Sequence, residues 1–149
     1  MQQIATHDRR AFVLHAMEPA DALPPLFGDE PFAALVWATR PTSNAQKQRI
    51  THALIAGGCR YVVCGGAETD AWEEAADDAY LVLDLPDDDV VMTSSHRGEP
   101  PDEVVFFLVH SARTDRDFAR CLLLVVGADA PVEERLSECV REELDAVGG

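Results

Sequence analysis

"FAALVWATRPTSNAQKQRITHALIAGGCRYVVCGG", residues 32–66, decides how this chain folds. Phe32–Arg40 opens with a continuous apolar run, the pattern of a strand covered on both faces of its sheet. Ser43 followed by Gln46 has capping-box spacing, and Gly57-Gly58 is a helix stop. Between them Ala45, Ile50, Ala53, Leu54 and Gly57 share one helical face, which predicts a helix over 44–56. "CRYVVC" (59–64) is then a second buried strand. Strand, helix, strand in this order predicts a parallel sheet.

Working outward, "AFVLHA" (11–16) reads as a first strand. The proline-rich stretch 17–31, "MEPADALPPLFGDEP", reads as a surface connection. Downstream, "ETDAWEEAADDAY" places Trp72, Ala75, Ala76 and Ala79 on one stripe of a helix with acids on the other side. "LVLDL" (81–85) reads as a short strand before the turn "PDDD", and "VVMTS" (90–94) as another. "EPPDE" supplies the prolines and acids of a helix's first turn. The periodicity of the following "VVFFLVH" (104–110) fits helix or strand, and those start signals with the alternating order make it a helix. "CLLLVVG" (121–127) is a last strand. "PVEERLSECVREEL" closes the chain with Val132, Leu136, Cys139, Val140 and Leu144 on one helical face. The expected fold is α/β: one domain over 1–149, a three-layer α/β/α sandwich around a mostly parallel sheet, Rossmann-like or flavodoxin-like.

Composition narrows the function. A chain of 149 residues, 47% hydrophobic and 26% charged, is an ordinary globular protein. No apolar run reaches the length of a membrane span, and "MQQIATHDRR" has no signal-peptide pattern, so a cytoplasmic protein is expected. Twelve Lys+Arg stand against 27 Asp+Glu, a net charge of −15, and Lys47 is the sole lysine. The nearest thing to a basic cluster is Arg9-Arg10, which argues against a duplex nucleic acid or an anionic membrane as partner. A basic protein partner fits this charge, and so does plain solubility. Cys59, Cys64, Cys121 and Cys139 sit in apolar segments without C-x-x-C spacing, as buried reduced thiols do. The scattered histidines and the acidic runs show no metal-ligand spacing, and no cofactor is expected.

In a parallel sheet, ligands bind outside the carboxyl ends of the strands. There the predicted strands bring together Thr39, Arg40 and Thr42, then Cys64, Gly65 and Gly66, then Ser94, Ser95, His96 and Arg97, and finally Gly127 and Asp129. Cys64-Gly65-Gly66 suits an anion cradle or an activated thiol, since the following helix start favours negative charge. It also suits a buried cysteine and a tight turn, and it lacks the rest of a P-loop or dinucleotide fingerprint. His96 is positioned to be a base for Cys64, with Asp129 or Glu99 orienting it. Ser94 and Ser95 lack a nucleophile elbow. Arg40 and Arg97 suit a carboxylate or phosphate, or an internal ion pair.

"GCRYVVCGG…AW" with "VMTSSH…DEV" and "LLLVVG" resembles a group of small, functionally unassigned bacterial α/β proteins that share these Cys-Gly-Gly and Met-Thr-x-x-His patterns. The likeness covers roughly residues 32–127. It implies a self-contained bacterial cytosolic domain and brings no reaction with it. Three readings follow. The favoured one is a non-catalytic binding or adaptor domain holding a partner protein, with a polar crevice at the strand ends. The second is a sensor of an anion or nucleotide, built on Gly65 and Gly66 with Arg40, Thr42, Ser94, Ser95 and Arg97. The third is a cysteine-dependent hydrolase or transferase using Cys64, His96 and Asp129.

Overall fold

The computed structural model describes residues 1–28, 30–114 and 117–148. In chain order its elements are β1 (Gln2–His7), β2 (Arg10–Met17), β3 (Phe32–Ala38), α1 (Asn44–Ala56), β4 (Cys59–Gly66), α2 (Thr69–Leu83), β5 (Met92–Ser95), α3 (Pro101–His110), β6 (Arg120–Val126) and α4 (Ala130–Gly148). Among the described residues the result is a mixed α/β fold with four helices and one six-stranded sheet in the order β1-β2-β6-β3-β4-β5. Only β1 runs antiparallel to its neighbour.

The apolar runs dictate the middle of this sheet. β6 and β3 lie side by side, with every residue from Cys121 to Val126 and from Phe32 to Val36 withdrawn from water. Side chains alternate between the two faces. Leu14, Leu123, Leu35 and Val63 form a row across four strands and share an apolar cluster with Val104, Leu108, Leu136 and Val140 of α3 and α4. Leu122, Leu124, Ala34, Val36 and Cys64 point the other way, toward Ile50, Leu54, Trp72 and Ala76 of α1 and α2. Each large aliphatic side chain buried here contributes about 1.5–3 kcal/mol of transfer free energy.

Local signals act as their chemistry requires. The Ser43 hydroxyl accepts from Gln46 N–H at 3.1 Å while Gln46 Oε1 accepts from Ser43 N–H at 3.2 Å, a complete capping box. Residues 104–110 are helical, behind Pro101, Asp102 and Glu103 in the first turn, where the N-terminal dipole favours acids. Of the stretch 17–31, Met17 ends β2, and the rest forms no helix or strand among its described residues; Asp29 lies outside them. Its Leu23, Leu26 and Phe27 lean on the core, and Arg49 donates to Asp21 O at 2.7 Å.

Two expectations are corrected. Residues 81–85 form no strand: Leu81–Leu83 continue α2, which ends at Asp84 in a left-handed conformation (φ 50°). The spacing of Trp72, Ala76, Ala79 and Leu83 carries the helical stripe forward, and Leu83 and Leu85 pack on the core it serves. The first strand, in turn, is not the one at Ala11. Gln2–His7 precedes it as an antiparallel edge strand on β2, and of its side chains only Ile4 is buried. Such a polar stretch carries no strand pattern; it is recruited by the unpaired backbone edge of β2.

Gly66 (φ 79°) ends β4, and a Cβ there meets Ala38 O at 2.2 Å, whereas Gly98 (φ 73°) has open space around it. Gly98→Ala is expected to cost about 1–2 kcal/mol, the left-handed backbone alone. Gly66→Ala adds a clash with main chain and is expected to exceed ~3 kcal/mol. Urea midpoints of the two variants check the difference.

Candidate functional site

The parallel strands do bring the expected residues to one end of the sheet, and there the chain's own carboxylates meet its cations. Glu18, just past β2, accepts from Ala128 N–H at 3.1 Å and pairs with the Arg40 guanidinium. Glu68, before α2, accepts from Thr42 N–H at 2.8 Å and lies 3.1 Å from Lys47 Nζ. Those two contacts, the backbone donor first, hold its carboxyl below the usual carboxylate range. Asp70 accepts from the Ser95 hydroxyl and pairs with Arg97. Lys47 is buried, its ammonium donating to Thr42 O at 2.7 Å and facing the Trp72 ring at 5.9 Å. Arg40, Ser95 and Arg97, expected to hold a ligand, are thus engaged within the molecule; Thr42 is engaged through its backbone, and its hydroxyl is buried with no partner.

The glycines follow packing. Trp37 lies over Gly65 so closely that a Cβ there meets the indole at 2.7 Å. Beyond Gly66, Ala67 N–H donates to Ala38 O at 2.8 Å. Asp129 caps α4: its carboxylate accepts from Val132 N–H at 3.2 Å, and its own N–H donates to Glu133 at 3.0 Å.

β4 and β5 are neighbours, with Cys64 opposite Ser95 and His96 N–H donating to Cys64 O at 3.0 Å. The side chains nevertheless part. Cys64 belongs to the cluster under α1 and α2, whereas the His96 ring lies 4.5 Å from that of Phe107 on the α3 face. The sheet stands between thiol and imidazole, so the nucleophile–base pair expected from Cys64 and His96 is not assembled, and Asp129 does not orient it. Alternation along a strand is the reason: residue 95 takes the face of Cys64, which leaves residues 94 and 96 to the other.

On that other face a different set meets. The Ser94 hydroxyl is 2.9 Å from His96 Nε2, and His96 Nδ1 is 3.0 Å from Glu99 Oε2. With its proton on Nδ1, His96 donates to Glu99 and accepts from Ser94, the polarity of a serine–histidine–carboxylate relay. His96 is only 6% exposed. A groove of about 410 Å³ passes Glu99 and Phe107 and is lined further by Asp102, Glu103 and Glu143; Ser94 is not on its wall.

A second concavity, absent from the sequence reading, lies between α1 and α2. Gln48 and His52 on one helix face Ala75, Asp78, Ala79, Leu81 and Val82 on the other across about 480 Å³. Leu81 is 75% exposed and Val82 74%. Read as part of a strand, they carried no message. As helical positions they fall outside the stripe of Trp72, Ala76, Ala79 and Leu83, which is the signal that finds them.

A family described as a domain of unknown function (DUF7684) matches residues 12–143, and the chain belongs to it. No curated protein and no solved structure matches the chain.

All four cysteines are buried and unpaired. Burial pushes the Cys59 thiol up from 9.0 to about 12 and raises that of Cys64 as well. The native state keeps these protons where the unfolded chain releases them. Their stabilising contribution is therefore complete below about pH 9 and is lost as pH rises toward 12. Urea unfolding is expected to show stability falling by ~1.4 kcal/mol per pH unit for each such thiol. The Cys59→Ala/Cys64→Ala double variant starts less stable and falls more gently.

Proposed function

We propose that this DUF7684 member is a non-catalytic binding domain of the cytoplasm, a three-layer α/β/α sandwich of the Rossmann-like kind that works through the groove between α1 and α2. Its partner is a protein presenting a basic amphipathic segment. The observation that carries this reading is the pair Leu81 and Val82, adjacent large aliphatic side chains left three-quarters exposed on the wall of a groove. Covering each of them yields about 1.5–3 kcal/mol. Asp78 lines the groove itself, and α2 carries Glu74 and Asp77 besides. Their negative charge draws in Lys and Arg and speeds encounter.

The strand ends support a sensor of anions less well. A ligand there has to displace Glu18, Glu68 or Asp70 from cations they already neutralise.

Fluorescence anisotropy with a basic and an acidic amphipathic helical peptide tests the reading. The basic peptide is expected to bind saturably and to weaken with salt. Leu81→Ser/Val82→Ser is expected to lower its affinity about tenfold or more. Equal binding of the two peptides, or an unaffected variant, overturns the proposal.

The Ser94–His96–Glu99 relay favours a hydrolase as the second reading, with Ser94 in place of Cys64 as nucleophile. A non-catalytic domain is expected to resist a fluorophosphonate probe. Labelling of Ser94 that disappears in His96→Ala transfers the case to hydrolysis.

A further inference from the structure

The opposite end of the sheet, where the parallel strands begin, holds a cavity of about 420 Å³ between the β1–β2 turn, the end of α3 and the end of α4. Its volume lies within the roughly 300–1,000 Å³ of small-molecule sites. Around it stand His7, Arg9, Arg10, His110 and Arg113, three of the chain's 12 Lys+Arg and two of its five histidines. In a protein of net charge −15 this is a concentration of cations against the composition. Val109, Ala112, Phe118 and Leu144 supply apolar wall.

The state of these cations sets the place apart from the strand ends. Arg40, Arg60, Arg97 and Arg120 each face a carboxylate. Among the described residues, no carboxylate lies within ion-pairing distance of Arg9 or Arg10. Arg10 is held in place by neutral groups: it donates to Val109 O at 2.7 Å and to Cys121 Sγ at 3.4 Å, and its guanidinium lies 5.1 Å over the Phe12 ring. Its Nε is shielded from solvent with no partner. Arg113 keeps a loose, exposed pair with Asp117 at 3.6 Å, and His110 meets Glu143 at 2.7 Å. Asp8 and Asp117 also line the cavity, two carboxylates against the three arginines.

The turn that presents Arg9 is built against local preference. His7 pairs with Arg10, so Asp8 and Arg9 are the two central residues of a hairpin turn, at φ 48° and 69°. Two positive φ values make a type I′ turn, whose second central position is the natural place for glycine. An arginine stands there at the expense of backbone comfort, and it lines the cavity.

We propose that this cavity is a binding site for a small organic anion, a carboxylate or phosphate group carried on an apolar body. The guanidinium groups of Arg9 and Arg10 receive the charged group, as planar donor forks matched to carboxylate and phosphate oxygens. Arg113 reinforces them from the rim, and the Val109, Phe118 and Leu144 wall takes the apolar part. The site is independent of the α1–α2 groove.

The full chain is titrated with phenyl phosphate, benzoate, inorganic phosphate and neutral benzyl alcohol, with arginine Nε–H and backbone amides followed by NMR. Phenyl phosphate and benzoate are expected to shift Arg9, Arg10 and the end of α3 saturably, and to bind more tightly than inorganic phosphate. Benzyl alcohol is expected to leave them unmoved. Arg9→Gly suits the turn better, so its melting midpoint is expected to rise while phenyl phosphate affinity falls about tenfold. Arg113→Gln is expected to weaken binding and Arg40→Gln to leave it unchanged. Shifts that stay linear in ligand, equal binding of benzyl alcohol, or undiminished affinity in a stable Arg9→Gly overturn the proposal.

Discussion

The packing of β3 between β6 and β4 is the constraint on which the rest of this molecule depends. Its residues Phe32–Val36 and those of its neighbour Cys121–Val126 have no face toward water, so helices are required on both sides of the sheet. α1 and α2 meet that demand on one face and α3 and α4 on the other. Once the four helices are committed, alternation along each strand assigns every side chain beside a strand end to one face or the other. The separation of Cys64 from His96, and the meeting of His96 with Ser94, both follow from that assignment.

Charge is arranged as economically as apolar surface. A chain with 27 acids and 12 bases has carboxylates to spare, and at the strand ends it places Glu18, Glu68 and Asp70 on the cations that an anionic ligand needs. The contrast with Arg9 and Arg10, which lie where the strands begin and have no carboxylate within ion-pairing distance among the described residues, is a contrast in positioning, since both sets draw on the same residue types. Further acids lie on α2, the helix whose Leu81 and Val82 the fold does not cover. The two proposed sites accordingly lie where charge has gone unneutralised and where apolar surface has gone unburied.

How much of this was legible follows the range of each interaction. The α1 capping box, the α3 first turn and the buried strands at Phe32, Cys59 and Cys121 are decided by residues a few positions apart, and all were readable. β1 was not, because its strand state comes from the open edge of β2 and not from its own "QQIATH". The strand expected at Leu81 failed because a short apolar run is silent about whether it continues the helix before it. Of the residues expected at the strand ends, their common placement was legible from parallel topology, and their partners were not.

By itself the sequence determined the alternation of strands and helices, the capping signals, the buried and reduced character of the cysteines and the poverty of cations. These are local or compositional, set by periodicity, backbone preference and transfer free energy. Only the tertiary structure decided which carboxylate meets which cation, that Ser94 rather than Cys64 lies beside His96, that Leu81 and Val82 stand uncovered, and that Arg9, Arg10, His110 and Arg113 surround one cavity. Those residues are separated by tens of positions along the chain or by a single step of strand alternation. Their meeting depends on strand order and register, which are properties of the whole sheet.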